Sequence, residues 1–250
     1  MASKFTELAI DCADPMALAR FWCAVLDYEV QDVEEGEEVV AIGSPAVPEG
    51  KSRPGPVPPT LTFARVPEGK TVKNRLHIDV NPTDREQGEE VERLLALGAR
   101  RADVAPDGAS WVVMADPEGN EFCVLEPRPV YRDTGPIAAV VVDCTDPREM
   151  ARFWGEAMDW TLHEVTDGGA TMRSAKGVGP YLEFLRTPDT KSGWNRVHLD
   201  VRPYPGDDPA AEADRLRSLG ATEPGIDRSA IHWTILADPE GNEFCLLTPA

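Results

Sequence analysis

Residues 115–123 read ADPEGNEFC, and residues 237–245 read ADPEGNEFC again. Such an identity within one chain is an internal repeat, and it settles the architecture before any single motif is weighed. Working outward, NRLHIDV at 74–80 pairs with NRVHLDV at 195–201, DCADP at 11–15 with DCTDP at 143–147, and ARFW at 19–22 with ARFW at 151–154. The offset is 132 between Asp14 and Asp146 and 122 between Cys123 and Cys245. The surplus of the first copy falls mostly in 43–60, GSPAVPEGKSRPGPVPPT, a loop rich in Pro and Gly. Two related domains are expected, 1–129 and 136–250, each of ordinary domain size. The joint lies in 127–136, PRPVYRDTGP.

Each copy divides again. The first half opens with a strand at 6–12, followed by Asp14 as a helix N-cap and Pro15 in the first turn. The helix runs to Leu26 and buries Leu18, Phe21, Trp22 and Val25, spaced i, i+3, i+4, i+7. Strands are predicted at 29–33, 37–42 and 60–66. The second half opens with a strand at 75–80 and a helix at 85–97 that Gly98 stops. Three short strands then end at 122–126. The unit is βαβββ, present four times, and the fold class is α+β.

Composition bounds the function. Apolar residues make up 42% and charged residues 28% of 250, as in ordinary globular domains. No apolar run approaches the roughly 20 residues of a membrane span, and the first ten residues do not read as a signal peptide. A net charge of −19 repels phosphate backbones and anionic lipid, so neither nucleic acid nor membrane is an expected partner. Five Cys without close paired spacing read as reduced thiols in a cytoplasm. No phosphate-cradling glycine loop or serine nucleophile elbow is present.

These stretches together, DCADPMALARFW with DCTDPREMARFW, the LHIDV and VHLDV strands, and the paired ADPEGNEFC endings, resemble the vicinal oxygen chelate superfamily, and within it tandem glyoxalase-like or bleomycin-resistance-like domains. The resemblance covers nearly the whole chain. It implies four modules paired into two cup-shaped sheets and a small organic molecule as partner. The superfamily includes metal-dependent enzymes and proteins that only sequester a ligand, so fold does not fix function. Metal-dependent members are expected to hold ligands on the first and last strands of a module. In those places stand Glu7 and Ala139, Thr62 and Glu183, His77 and His198, and Cys123 and Cys245. If modules swap between domains, one cup holds Glu7, His198, Cys245 and Thr62, and the other Glu183, His77, Cys123 and Ala139. If they do not, His77 and Cys123 join Glu7, and His198 and Cys245 join Glu183. Either way each cup has one Glu, one His and one Cys.

Two uses of these residues compete. Glu, His and Cys can hold zinc with an open fourth place. Alternatively, Glu7 with a His, and Glu183 with the other His, act as metal-free acid–base pairs, or merely as a polar lining. A Cys in an FCVL strand is otherwise a small buried apolar residue. No cofactor is expected; a divalent metal on Glu7, His77, Cys123, Glu183, His198 and Cys245 is the alternative. Strand alternation puts Arg75, His77 and Asp79 on one face, and Leu76, Ile78 and Val80 on the helix-covered face. Arg196, His198 and Asp200 repeat that row. These residues, with Asp11, Asp143 and Trp194, are the candidate ligand contacts; Arg75 and Asp79 have an alternative as paired edge charges, and Asp11 and Asp143 read equally as exposed strand ends. Trp22 and Trp154 read as core, and Trp111 and Trp233 more as core than as pocket wall. His163 and His232, without a His in the other copy, read as surface. The DPEGN acids read as turn formers without chemistry. The expected function is a cup that binds a small organic molecule; the alternative is a lyase, isomerase or epimerase. With four modules in one chain, a monomer is expected.

Overall fold

The computed structural model describes residues 2–46, 58–102, 108–158, 160–225 and 233–248. The first module comprises β1 (Ser3–Cys12), α1 (Pro15–Leu26), β2 (Glu29–Val33), β3 (Val39–Gly43) and β4 (Thr60–Arg65). The second comprises β5 (Leu76–Val80), α2 (Gln87–Ala96), β6 (Arg100–Arg101), β7 (Trp111–Ala115) and β8 (Glu121–Leu125). The third comprises β9 (Ile137–Cys144), α3 (Pro147–Met158), β10 (Trp160–Val165), β11 (Gly169–Ser174) and β12 (Tyr181–Arg186). The fourth comprises β13 (Val197–Pro203), α4 (Pro209–Leu219), β14 (Thr234–Ala237) and β15 (Glu243–Leu246). Among the described residues no helix is long and apolar enough to cross a membrane.

The modules pair across the domains. One sheet runs β14-β15-β13-β1-β4-β3-β2, the other β10-β11-β12-β9-β5-β8-β7-β6. The antiparallel pair β1–β13 joins the first module to the fourth, with Leu8 opposite Leu199 and Ala9 opposite His198. The pair β5–β9 joins the second to the third, with His77 opposite Val141. Of the two pairings open from the sequence, the structure has the swapped one.

Alternation sorts the side chains. Leu8, Ile10, Leu76, Ile78, Val80, Val197, Leu199 and Val201 enter one continuous core beneath the helices. Asp14 caps α1 by accepting from Ala17 N (3.0 Å), and Leu18, Phe21, Trp22 and Val25 are all buried. Trp22 meets Phe122 edge-on at 5.2 Å, and Trp154 meets Phe244 at 5.0 Å. Their indoles donate to Asp116 (3.3 Å) and Asp238 (3.4 Å) of the repeated turns. Burial drives the Asp238 pKa up to about 6, against the hydrogen bonds that hold its charge.

Three local expectations change. The strand predicted from 37 starts at Val39, because Glu35–Glu37 form a 3-10 turn with Gly36 at φ 74°. The helix predicted from 85 starts at Gln87; Arg85 turns back to Asp84 (3.0 Å from Nε) and forward to Glu90 (3.1 Å). In the fourth module the counterpart of β6 is a single bridge, Thr222 with Ala237. Trp111 is half-buried, but Trp233 is 42% exposed and is no core residue. His163 is exposed, with its ring 5.5 Å from that of Tyr181; His232 lies outside the described residues. The described cysteines are free thiols.

Candidate functional site

The helix-free face of each sheet forms a cup. On the first, His198 and Asp200 of β13 stand two residues apart on one face, and Cys245 of β15 lies opposite Asp200. His198 Nδ1 is 2.9 Å from Asp200 Oδ1, and Cys245 Sγ is 3.9 Å from the same nitrogen. Burial opposes charge on His198, but the Asp200 carboxylate outweighs it, and the imidazole pKa lies well above its usual value. Burial, with Asp200 beside it, pushes the Cys245 thiol up to about 11, so it is protonated at neutral pH. The second cup repeats the set. His77 Nε2 is 3.4 Å from Asp79 Oδ1, and Cys123 lies opposite Asp79 on β8. The donor atoms of His77, Asp79 and Cys123 all lie within 4.8 Å of one another, as do those of His198, Asp200 and Cys245.

The glutamates are held elsewhere than expected. The sequence paired Glu7 and Glu183 with histidines; among the described residues no hydrogen bond joins either Glu to His77 or His198. Glu7 accepts from Arg202 Nη2 (3.0 Å) and Thr62 Oγ1 (3.0 Å). Glu183 accepts from the Tyr131 hydroxyl (2.9 Å). Burial raises the Glu183 pKa; the Tyr131 hydrogen bond opposes this, and Asp79 adds to it. The carboxylate beside each histidine is its own strand's Asp, because i and i+2 share a face.

The arginines depart from the row as well. Arg75 reaches Asn242 Oδ1 (3.2 Å), the Asp189 carbonyl (2.9 Å), the Asp143 carbonyl (2.5 Å) and Glu240 (3.2 Å). Arg196 reaches the Glu68 carbonyl (2.5 Å), the Asp11 carbonyl (2.7 Å) and Glu118 (3.5 Å). Both stitch modules together, alongside a cleft of about 800 Å³ that Asp11, Lys73, Arg75, Asp143, Trp194 and Arg196 line in repeat-related pairs. In it the Trp194 indole donates to Asp11 (2.9 Å), and Lys73 pairs with Asp143. The Trp194 ring lies 6.0 Å from His198 and so connects this cleft with the first cup. Glu118 and Glu240 of the DPEGN turns accept from Ala13 N and Asp14 N (both 2.8 Å) and from Thr145 N and Asp146 N (both 2.7 Å). Their role is to brace the strand-to-helix corners.

Two residues of the cups escaped sequence reading. Arg202 continues the alternation Arg196, His198, Asp200, and that was the signal for it. Tyr131 sits in the joint, where no periodicity points. It is buried in the second cup among Val113, Cys123, Leu125, Ala139, Val141 and Tyr181. Asn81, the repeat counterpart of Arg202, fixes it there by donating to the carbonyls of Tyr131 (3.0 Å) and Gly135 (3.2 Å).

The four-ligand metal of the resemblance does not fit these residues. Ala139 has no donor, Arg202 already supplies a cation to Glu7, and Thr62 is engaged with that same carboxylate.

Residues 7–125 and 139–247 each match the glyoxalase-like domain family. No curated protein matches the chain. Among solved structures, glyoxalase I from Zea mays is 15% identical, with a TM-score of 0.66 over 99% of this chain and 92% of its own. A protein from Bacillus subtilis assigned provisionally as a dioxygenase is 14% identical, with a TM-score of 0.64 over 98% of this chain and 84% of its own. At such identities the likeness is one of fold.

Proposed function

This chain belongs to the glyoxalase-like domain family, and from that premise we propose that it binds a small organic molecule in the first cup, without the four-ligand metal site of a glyoxalase. The observation that carries the reading is the buried His198–Asp200 pair, 2.9 Å apart, on a face that needs no polar groups for packing. Ionisable groups buried with a specific partner cluster at functional sites. The repeat allows the cups to be weighed against each other. The second is filled by Tyr131 and its apolar neighbours, whereas the first has Arg202, Thr62 and the nearby Trp194 ring. With Nδ1 held by Asp200, the imidazolium offers its second N–H to a ligand oxygen. Trp194 offers an aromatic edge, so the favoured ligand is a flat or apolar molecule with a carbonyl or carboxylate. The four modules pair within the chain, which makes a monomer the working unit.

Calorimetric titration against aromatic and aliphatic carboxylates and carbonyl compounds tests the proposal. Saturable binding at one site per chain, lost in His198→Ala and in Arg202→Met, is the expected result. Binding that both substitutions leave unchanged would refute it. A second reading, a lyase, isomerase or epimerase, draws on the same pair, since Asp200 fixes the imidazole tautomer as a proton-transferring group requires. Turnover of a bound carbonyl compound, with loss in Asp200→Asn, would favour that reading.

A further inference from the structure

The linker between the repeats does more than join them. Between the end of β8 at Leu125 and the start of β9 at Ile137 it turns inward, and its short 3-10 turn, Pro129–Tyr131, sets the Tyr131 ring into the second cup. Only 6% of that residue is exposed. The ring is held as a ligand's ring would be. The Tyr181 ring meets it edge-on at 5.7 Å, and apolar side chains, Ala139 and Val141 of β9 among them, wall it in. Burial, with Glu183 beside it, keeps the Tyr131 hydroxyl protonated, and it donates to Glu183 Oε1 at 2.9 Å. Three places where the second cup departs from the first all serve this phenol. Glu183, in the place of Thr62, accepts its hydrogen bond. Ala139, in the place of Glu7, leaves apolar room for the ring. Asn81, in the place of Arg202, holds the linker through the Tyr131 and Gly135 carbonyls, and its backbone N–H donates to the Pro136 carbonyl (2.8 Å). Arg173 holds the Asp133 carbonyl (2.9 Å) and lies over the Tyr181 ring at 5.0 Å. Pro127, Pro129 and Pro136 stiffen the segment, so less entropy is lost in seating it.

We propose that the second cup is a binding site for a neutral phenol, filled in this chain by its own Tyr131, so that the linker 127–136 is a built-in competitor that an external phenol must displace. A hydroxyl moved from water into an apolar site is costly unless an acceptor meets it. Glu183 is that acceptor, and it makes the site selective for a phenol over a plain hydrocarbon ring. Tethering gives the Tyr131 ring a high effective concentration, so dilute phenols are excluded while the linker is seated. The site opens when the linker lifts. The inference concerns the second cup and does not rest on ligand binding in the first, so either proposal can fail without the other.

The probe is p-cresol, the tyrosine side chain as a free molecule, with toluene as its counterpart without the hydroxyl. Calorimetric titration compares the full-length wild type with Tyr131→Ala. The variant is expected to bind one more p-cresol per chain than wild type, and to prefer it to toluene by about tenfold or more, as a buried hydrogen bond to Glu183 requires. Removing the acceptor as well, in Tyr131→Ala/Glu183→Leu, should abolish that preference. Circular dichroism confirms that each variant is folded. If Tyr131→Ala is not, Asn81→Ala carries the test, since it keeps the ring but frees the linker carbonyls and should admit p-cresol in its place. No added site in the folded variant, equal affinity for toluene, a preference that survives Glu183→Leu, or as many p-cresol sites in wild type as in the variant would overturn the proposal.

Discussion

In the first cup, Arg202 reaches back to Glu7; in the second, the same repeat position is Asn81, and its amide instead anchors the linker that lays Tyr131 over Glu183. Everything beneath the two sheets is nearly the same: the indole on the turn aspartate, the Phe beside it, the glutamate braces. The faces above diverge. One has two ion pairs, Glu7–Arg202 and His198–Asp200, and the other an apolar plug beside Asp79, one of whose carboxylate oxygens has no hydrogen bond. A duplicated fold keeps its core because packing tolerates little change. The cups have no such constraint, and they differ at three matched places: Arg202 for Asn81, Glu7 for Ala139 and Thr62 for Glu183.

Substitutions made in pairs can break this comparison or sharpen it. Trp22→Ala and Trp154→Ala should each cost about 3–5 kcal/mol and match one another, since both cores are alike; chemical denaturation measures this, and unequal losses would show the cores to be less equivalent than they look. Arg202→Met leaves Glu7 with Thr62 alone and should cost about 3 kcal/mol, whereas Asn81→Ala, which frees only the linker carbonyls, should cost about 1–2 kcal/mol. The histidines should also separate, with His198→Ala costing about 2 kcal/mol and His77→Ala about 1 kcal/mol, because only His198 is closed on its aspartate.

Titration gives two finer contrasts. The folded-state pKa of His198 is raised, so its stabilisation is complete below the unfolded pKa near 6.5 and is lost as pH rises through the folded value. The penalty of His198→Ala, read from thermal unfolding, should therefore be greater at pH 6 than at pH 9. Glu183 also has a raised pKa, so its ionisation costs stability as pH rises above the unfolded value near 4.5. Glu183→Gln should then stabilise the protein at pH 7 by up to about 1 kcal/mol and lose that advantage by pH 4. An equal effect at both pH values would mean that the Tyr131 contact, not ionisation, governs this site.

Much of the fold could be read in the sequence because packing repeats leave periodic marks. The stripe Leu18, Phe21, Trp22 and Val25 announced α1, and the alternation from Leu76 to Val80 told which side of β5 is core. The same alternation grouped His77 with Asp79 and His198 with Asp200, whereas the glutamates lie on other strands and are not the histidines' partners. Glu7 and Glu183 take their partners from residues remote in the chain, Arg202 and Tyr131, and no local pattern encodes such a meeting. Arg75 and Arg196 lay on the predicted face, but a long side chain at a strand end can leave it, and these two are drawn to loop carbonyls. The choice between swapped and unswapped modules was beyond reach for a similar reason, since both pairings use the same strand edges.

The swapped pairing has a consequence for how the molecule comes into being. Ile10 lies opposite Val197, and Ser3 opposite Pro203, so the first strand made must wait for nearly the last before its edge is covered. A ribosome that has released the whole first repeat has not released a complete sheet. Half of β1's hydrogen-bonding edge stays open until the fourth module emerges, a non-local closure of the kind that slows folding and exposes chains to aggregation. The two repeats of the sequence are thus not units of folding, and a chain cut within 127–136 would yield two fragments that need each other to close either sheet.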